Sequence, residues 1–198
     1  MIQVIETFMS AKECLVSALS VGLFVMTLVA GVVQSLRVDR KLPAVNLFSE
    51  GAWNYIHDLL AHDDVDGAIA QLEMRKRIQP QDADTYEPLG SLLARSDRPQ
   101  DARDNYEELV RLRPDYARGH HLLGTTYLNT NQPNLAARTF TRSIQLDPNS
   151  APAYNGIGVI LARQGQIAEA EKYFAKAVEL DPNDEGARIN LERARIRP

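Results

Sequence analysis

Prolines recur at Pro80, Pro114, Pro148 and Pro182, each 34 residues after the last. Alanines keep the same interval at Ala68, Ala102, Ala136 and Ala170, and glycines at Gly90, Gly124 and Gly158. Three ladders with one period mean that a single structural unit is repeated along the chain. A fixed period of about 20–50 residues marks a stacked array rather than one globular core. A unit this short cannot bury its own apolar face, so its stability must come from its neighbours.

Each unit reads as two helices. In the last, Ser150 is placed to cap a helix with Pro152 in its first turn, where a missing N–H costs little. Tyr154, Ile157, Gly158 and Leu161 follow at i, i+3, i+4 and i+7, the spacing of one helical face. Gly165 ends that helix, and its equivalents in earlier units are Asn131, Asp97 and Asp63. All four tolerate the left-handed backbone of a tight interhelical turn. Ala170, Phe174, Ala177 and Val178 form a face of the second helix, which must stop before Pro182 because a proline forces its predecessor out of helical geometry. Gly90, Gly124 and Gly158 are expected to face Ala102, Ala136 and Ala170 at the helix crossings, with aromatics filling the wider spaces between units.

The third unit carries Leu123-Gly124, Tyr127, Ala136, Phe140 and Pro148, with His120 in a leading aromatic's place. The fourth carries Tyr154, Ile157-Gly158, Leu161, Ala170, Phe174 and Pro182; the second carries Tyr86, Leu89-Gly90, Leu93, Ala102, Tyr106 and Pro114. This pattern resembles the tetratricopeptide repeat: an aromatic, then L-G-x-x-Y, A-x-x-x-F and a closing proline. The resemblance covers residues 49–184. It implies an all-α, right-handed α-solenoid of four helix pairs, spanning 49–82 (degenerate), 83–116, 117–150 and 151–184, with a capping helix at 185–198.

Two departures stand out. In strict register Ala52 takes the aromatic position of the first unit and Ile56 the small one; slipping by one residue gives Trp53, Ile56, His57 and Leu60 instead. Pro88 falls inside the first helix of the second unit and should shorten or kink its start. In the final segment, Ala187, Leu191 and Ala194 make one apolar face, while Glu185, Arg188, Glu192, Arg193 and Arg195 make the helix solvating.

Ahead of the repeats, Cys14 to Leu36 is a run of 23 residues without a charge. As a helix it extends roughly 35 Å, enough to cross a hydrocarbon core of about 30 Å. Residues 14–36 are therefore expected to form a transmembrane helix, after a tail at 1–13 and before a linker at 37–48. A cleaved signal peptide is the alternative, with Val33-Gln34-Ser35 as its cleavage site, but the leader has Glu6 and Glu13 against one Lys12 and the run is long for that role. Arg37, Arg40 and Lys41 follow the run, so the positive-inside rule places the repeats in the cytoplasm. The linker reaches at most about 40 Å, which holds the array near the bilayer.

Residues 42–198 carry 18 Lys and Arg against 23 Asp and Glu, a balance that argues against a nucleic-acid partner. The lone cysteine, Cys14, excludes an internal disulfide. His57 and His62 do not align on a helix, and His120 and His121 diverge by about 100°. Asp63, Asp64 and Asp66 near His62 read as a turn rather than a metal site. Gly156-Ile157-Gly158 is no nucleotide loop, because Leu161 breaks the G-x-G-x-x-G pattern and no strand precedes it. No catalytic residue, metal, cofactor or small-molecule substrate is expected.

The resemblance implies that the first helices of the units line a groove for peptides or partner helices. Its rows would be Glu87, His121 and Asn155; Ser91, Thr125 and Val159; and Arg95, Asn129 and Arg163. Glu87 and His121 stand where a carboxylate-binding clamp would want lysine. The expected function is a membrane-tethered scaffold or assembly factor for membrane-associated proteins. The alternative is a permanent subunit of a membrane complex, for which Ala18/Gly22 and Thr27/Gly31 are small-residue pairs in the apolar run.

Overall fold

Each second helix ends where the proline ladder requires. In the computed structural model, which describes residues 50–196, these helices stop at Ile78, Leu112, Leu146 and Leu180, each two residues before a ladder proline. The intervening Gln79, Arg113, Asp147 and Asp181 share a non-helical backbone, with φ of −128, −129, −134 and −135° and ψ between 71 and 98°. A residue before proline is driven there by its neighbour's ring.

The turns inside each pair are equally regular. Asp63, Asp97 and Asn131 have φ of 58, 56 and 58°, and Gly165 has φ 79°. The amide of the next residue donates back to a carbonyl five residues earlier: Asp64 to Leu59, Arg98 to Leu93, Gln132 to Tyr127 and Gln166 to Leu161. This is the bond of the Schellman motif, which satisfies carbonyls that a helix end leaves open.

The order is α1 (Glu50–Ala61), α2 (Val65–Ile78), a 3-10 turn (Ala83–Thr85), α3 (Tyr86–Arg95), α4 (Pro99–Leu112), α5 (Ala117–Asn129), α6 (Pro133–Leu146), α7 (Ala151–Arg163), α8 (Ile167–Leu180) and α9 (Glu185–Ile196). Helices follow helices, with no strand among the described residues, and the result is an all-α tetratricopeptide-like solenoid. Pro99 and Pro133 start α4 and α6, where an absent N–H breaks no helical bond. Pro88 is the third residue of α3, which has 10 residues against 13 in α5 and α7; the chain ahead of it winds as the 3-10 turn instead.

The core is strung along the array. One cluster joins Ile56, Leu72, Tyr86, Leu93, Tyr106 and Leu109 of the early helices. A second joins Leu128, Ala136, Phe140, Ala153 and Ile160, and a third joins Ala170 and Phe174 to Leu191 and Ala194 of α9. Ala187, Leu191 and Ala194 are buried and the charged side chains of α9 are exposed, so this helix covers the last apolar face.

The structure refines three expectations and decides between the two registers of the first repeat. The nearest neighbours of the glycines are aromatic rings: a Cβ at Gly90, Gly124 or Gly158 would first strike Tyr106, Phe140 or Phe174, the aromatic four residues after each alanine of the ladder. Of the expected stripe, Gly158 is buried while Tyr154, Ile157 and Leu161 are half-buried; Ala153, Gly156 and Ile160 are also buried, because α7 packs against helices on both sides. Ser150 stands at the N-cap of α7 but makes no side-chain cap bond; its hydroxyl lies 3.4 Å from that of Ser143. In the first repeat Ile56 is buried and His57 exposed, so the strict register holds and the slipped one does not. Ile56 and Leu72 there replace the glycine–aromatic pair of later repeats, bulk having moved from the second helix to the first.

No helix among the described residues is long and apolar enough to cross a membrane. The segments 1–13, 14–36 and 37–48, and the residues named in them, lie outside the described residues.

Candidate functional site

The nine groove positions divide into three settings. Glu87 and Ser91, from α3, line a cavity of about 280 Å³ with Asp84, Arg113 and Tyr116. Glu87 is already engaged there: it accepts from the Tyr116 hydroxyl at 2.7 Å and from Nε of Arg118 at 2.6 Å. It therefore ties the second repeat to the third. Burial raises the Tyr116 phenol above its usual range, and the bond to Glu87 adds to the effect. The hydrogen bond from Arg118 to Glu87, and next the Glu87 charge, raise the Arg118 guanidinium.

The middle positions lie deeper. His121 is half-buried against the Phe140 ring, centroids 6.0 Å apart, with its Nε2 3.4 Å from Oγ1 of Thr125. Burial lowers its pKa, and the nearby Arg118 charge lowers it further. Thr125 donates to the His121 carbonyl at 3.1 Å. These two side chains serve the packing within the third repeat more than they serve an open surface.

The row Arg95, Asn129 and Arg163 is exposed throughout. Arg95 borders a cavity of about 260 Å³ with Asp63, Asp64 and Asp66, so carboxylates surround it. Arg163 leans toward the previous repeat and donates from Nη1 to the Leu128 carbonyl at 3.3 Å, near the open end of α5. Asn155 accepts from Nδ2 of Asn190 at 2.9 Å, which links α7 to α9.

Val159 and Arg163 come together in a third cavity, of about 290 Å³, closed on one side by Asn190 and Arg193 of α9. These α9 residues were not expected at a site, because the last segment reads as a solvating cap. One more step of the 34-residue period would have found Arg193, since it carries Val159 there; it carries Asn155 to Ile189, the neighbour of Asn190. The capping helix thus continues the groove rows. Ile189, on the same helix, is 39% exposed.

Among the described residues no group of three His, Cys, Asp or Glu side chains could hold a metal ion. No buried side-chain nitrogen or oxygen among them lacks a hydrogen-bond partner. What these surfaces offer is contact, through half-exposed polar rows along a rigid array.

Comparison with known proteins agrees with this architecture. Residues 121–185 match the family model described as tetratricopeptide repeat. No curated protein matches the sequence. Among solved structures, MamA 41-end from Desulfovibrio magneticus RS-1 is similar at 23% identity and TM-score 0.65, over 74% of this chain and 82% of that one. YrrB, described as a TPR protein with an unusual peptide-binding site, is similar at 23% identity and TM-score 0.61, over 77% and 78%. The first TPR of Spaghetti, bound to the HSP90 peptide SRMEEVD, is similar at 19% identity and TM-score 0.55, over 59% and 92%. The tetratricopeptide-repeat match thus covers residues 121–185, and the solved structures share the helical-repeat fold of the array.

Proposed function

We propose that this protein is a membrane-tethered interaction scaffold or assembly factor that binds peptides or helices of partner proteins along its repeat groove. The observation that carries the reading is the exposed row formed at one interval by Arg95, Asn129 and Arg163, on helices whose other faces are committed to packing. The peptide-binding descriptions of YrrB and the Spaghetti domain favour the same use of this fold. The tether rests on the charge-free run 14–36, and the side of the membrane on Arg37, Arg40 and Lys41. Partners are then membrane-associated proteins, and the acidic balance of 42–198 disfavours nucleic acid.

The test is extraction and purification of the full chain. Alkaline carbonate should leave it in the membrane pellet; release into the supernatant would remove the tether from the proposal. Purification in mild detergent should recover partners below one-to-one stoichiometry. Recovery in a fixed ratio would make the chain a permanent subunit of a complex, and recovery of no partner would count against the scaffold reading. Protease added to sealed cytoplasmic-side-out vesicles should digest the repeats; protection would reverse the orientation.

A further inference from the structure

The cavity at the end of the array differs from the other two in what lines it. Val159, Ile167 and Phe174 give it an apolar floor, and Arg163, Asn190 and Arg193 stand around it. No carboxylate among the described residues borders it, whereas Asp84 and Glu87 line the cavity at α3, and Asp63, Asp64 and Asp66 line the one near Arg95. Arg193 has no hydrogen-bond or ion-pair partner among the described residues, and Arg163 reaches only a backbone carbonyl. Elsewhere arginines are commonly matched in place: Arg75 with Asp82, Arg98 with Asp101, Arg118 with Glu87. Two guanidinium groups without carboxylates at one apolar opening are complementary to an anion beside an apolar group.

We infer that the cavity between α7, α8 and α9 is an anchor site for an acidic partner segment. It takes one aliphatic or aromatic side chain on Val159, Ile167 and Phe174, with a flanking carboxylate on Arg163 and Arg193. The Asn190–Asn155 bond fixes one side of the opening, so little ordering is needed when a ligand arrives. The exposed Ile189, one helical turn before Arg193, extends the apolar contact along α9. This rests on the reading of the protein as an interaction scaffold and specifies the partner's chemistry at one place on it.

The test uses the full chain in detergent and fluorescence anisotropy with a labelled peptide in which leucine stands between two glutamates. Controls are the same peptide with lysines for the glutamates and with serine for the leucine. The glutamate–leucine peptide should bind, and each control should bind at least about tenfold more weakly. The double variant Arg163→Ala, Arg193→Ala should weaken binding of the first peptide by roughly tenfold. Arg188→Ala, which removes a charge from α9 outside the cavity, should leave binding unchanged. Circular dichroism should show all variants folded.

Binding that survives the double variant moves the site elsewhere and overturns the inference, while the scaffold reading stands. Equal loss in Arg188→Ala reduces the effect to bulk charge and also overturns it. Preference for the lysine peptide, or for other members of a general peptide array, overturns the ligand chemistry alone. Failure to bind any peptide of that array overturns the anchor site and the scaffold reading together. Self-association that Arg193→Ala abolishes and the peptide cannot displace assigns the cavity to a second copy of the chain, which again overturns the proposal.

Discussion

The ring of Phe140 closes on Gly156 of the following repeat, where a Cβ would lie 2.5 Å from Cζ. The ring also packs closely on Gly124, where a Cβ would lie 2.8 Å away, and Phe140 is 1% exposed, which leaves it little space to yield. Gly156→Ala should therefore destabilise the protein even though alanine is normally worth about 1 kcal/mol over glycine inside a helix. Overpacking of this kind costs about 1–3 kcal/mol. Phe140→Leu should relieve part of that loss, so the double variant should be more stable than the sum of the singles implies. Thermal melts of the four proteins make the check. A melting temperature for Gly156→Ala at or above the parent's would show that the ring has room to move.

Phe140 also shows what a sequence ladder can and cannot reveal. The period marks which positions recur, and the turns and helix ends follow from local chemistry at those positions. Asp63, Asp97, Asn131 and Gly165 take up the left-handed turn because their own side chains permit it, and the prolines end the second helices through their immediate neighbours. Which recurring residues touch is a different question. Alanine and glycine share a period, but the side chain nearest each glycine is the aromatic one helical turn past the alanine. Ser150 has the residue type of a cap, yet its hydroxyl lies beside Ser143, which itself donates to the Ala117 carbonyl at 2.9 Å. At the site, the row of Arg95, Asn129 and Arg163 was legible, but Arg193 was not. The charges of α9 suggest a solvated end, and they mask the continuation of the period into that helix.

Tyr106 should make the protein sensitive to alkali. Burial, and next the charge of Glu87, push its phenol up to about 12. The folded value lies above the unfolded value of about 10, so the fold favours the neutral phenol. Its contribution is complete below pH 10 and is lost as pH rises from about 10 to 12. A shift of that size corresponds to an upper bound on the order of 2–3 kcal/mol. Urea midpoints measured from pH 8 to 12 should fall less steeply across this window in Tyr106→Phe than in the parent. Parallel curves would assign the alkaline loss to other groups, beginning with Tyr127, which is also raised to about 12 by burial and by its bond to Glu107.

His121 acts at the opposite end of the scale. Burial first, and Arg118 second, hold its folded pKa below the ordinary value. The fold thus prefers the neutral ring, and the stability linked to it is complete above about pH 6.5, the unfolded value. As pH falls below that point the unfolded chain binds the proton first, and stability declines. His121→Gln should flatten the profile between pH 7 and 5 whatever it does to stability at pH 7. Chemical denaturation at three pH values is sufficient. An unchanged slope in the variant would place the acid sensitivity on carboxylates instead.

The exposed row makes the sharpest functional comparison. Replacing Arg95, Asn129 and Arg163 together with alanine should weaken capture of partner proteins, because the three recur on the first helices and point away from the packing. Fold stability should change little, since exposed substitutions away from special features usually cost no more than about 0.5 kcal/mol each. Arg103, Arg138 and Lys172, on the second helices, provide the control and remove at least as much positive charge. Arg103 pairs with Asp104 at 2.7 Å and Lys172 with Glu169 at 2.8 Å, but such exposed pairs stabilise little. Within the groove row the effect should be uneven. Arg95 is surrounded by Asp63, Asp64 and Asp66, so its field toward an incoming anion is opposed, whereas Arg163 borders a cavity without carboxylates. Arg163→Ala alone should then reproduce most of the loss seen in the triple variant, and Arg95→Ala little of it. Pull-downs from detergent-solubilised membranes with these variants give the measurement. Equal loss in the groove and control triples would point to bulk charge, and loss in the control alone would move binding onto the second helices.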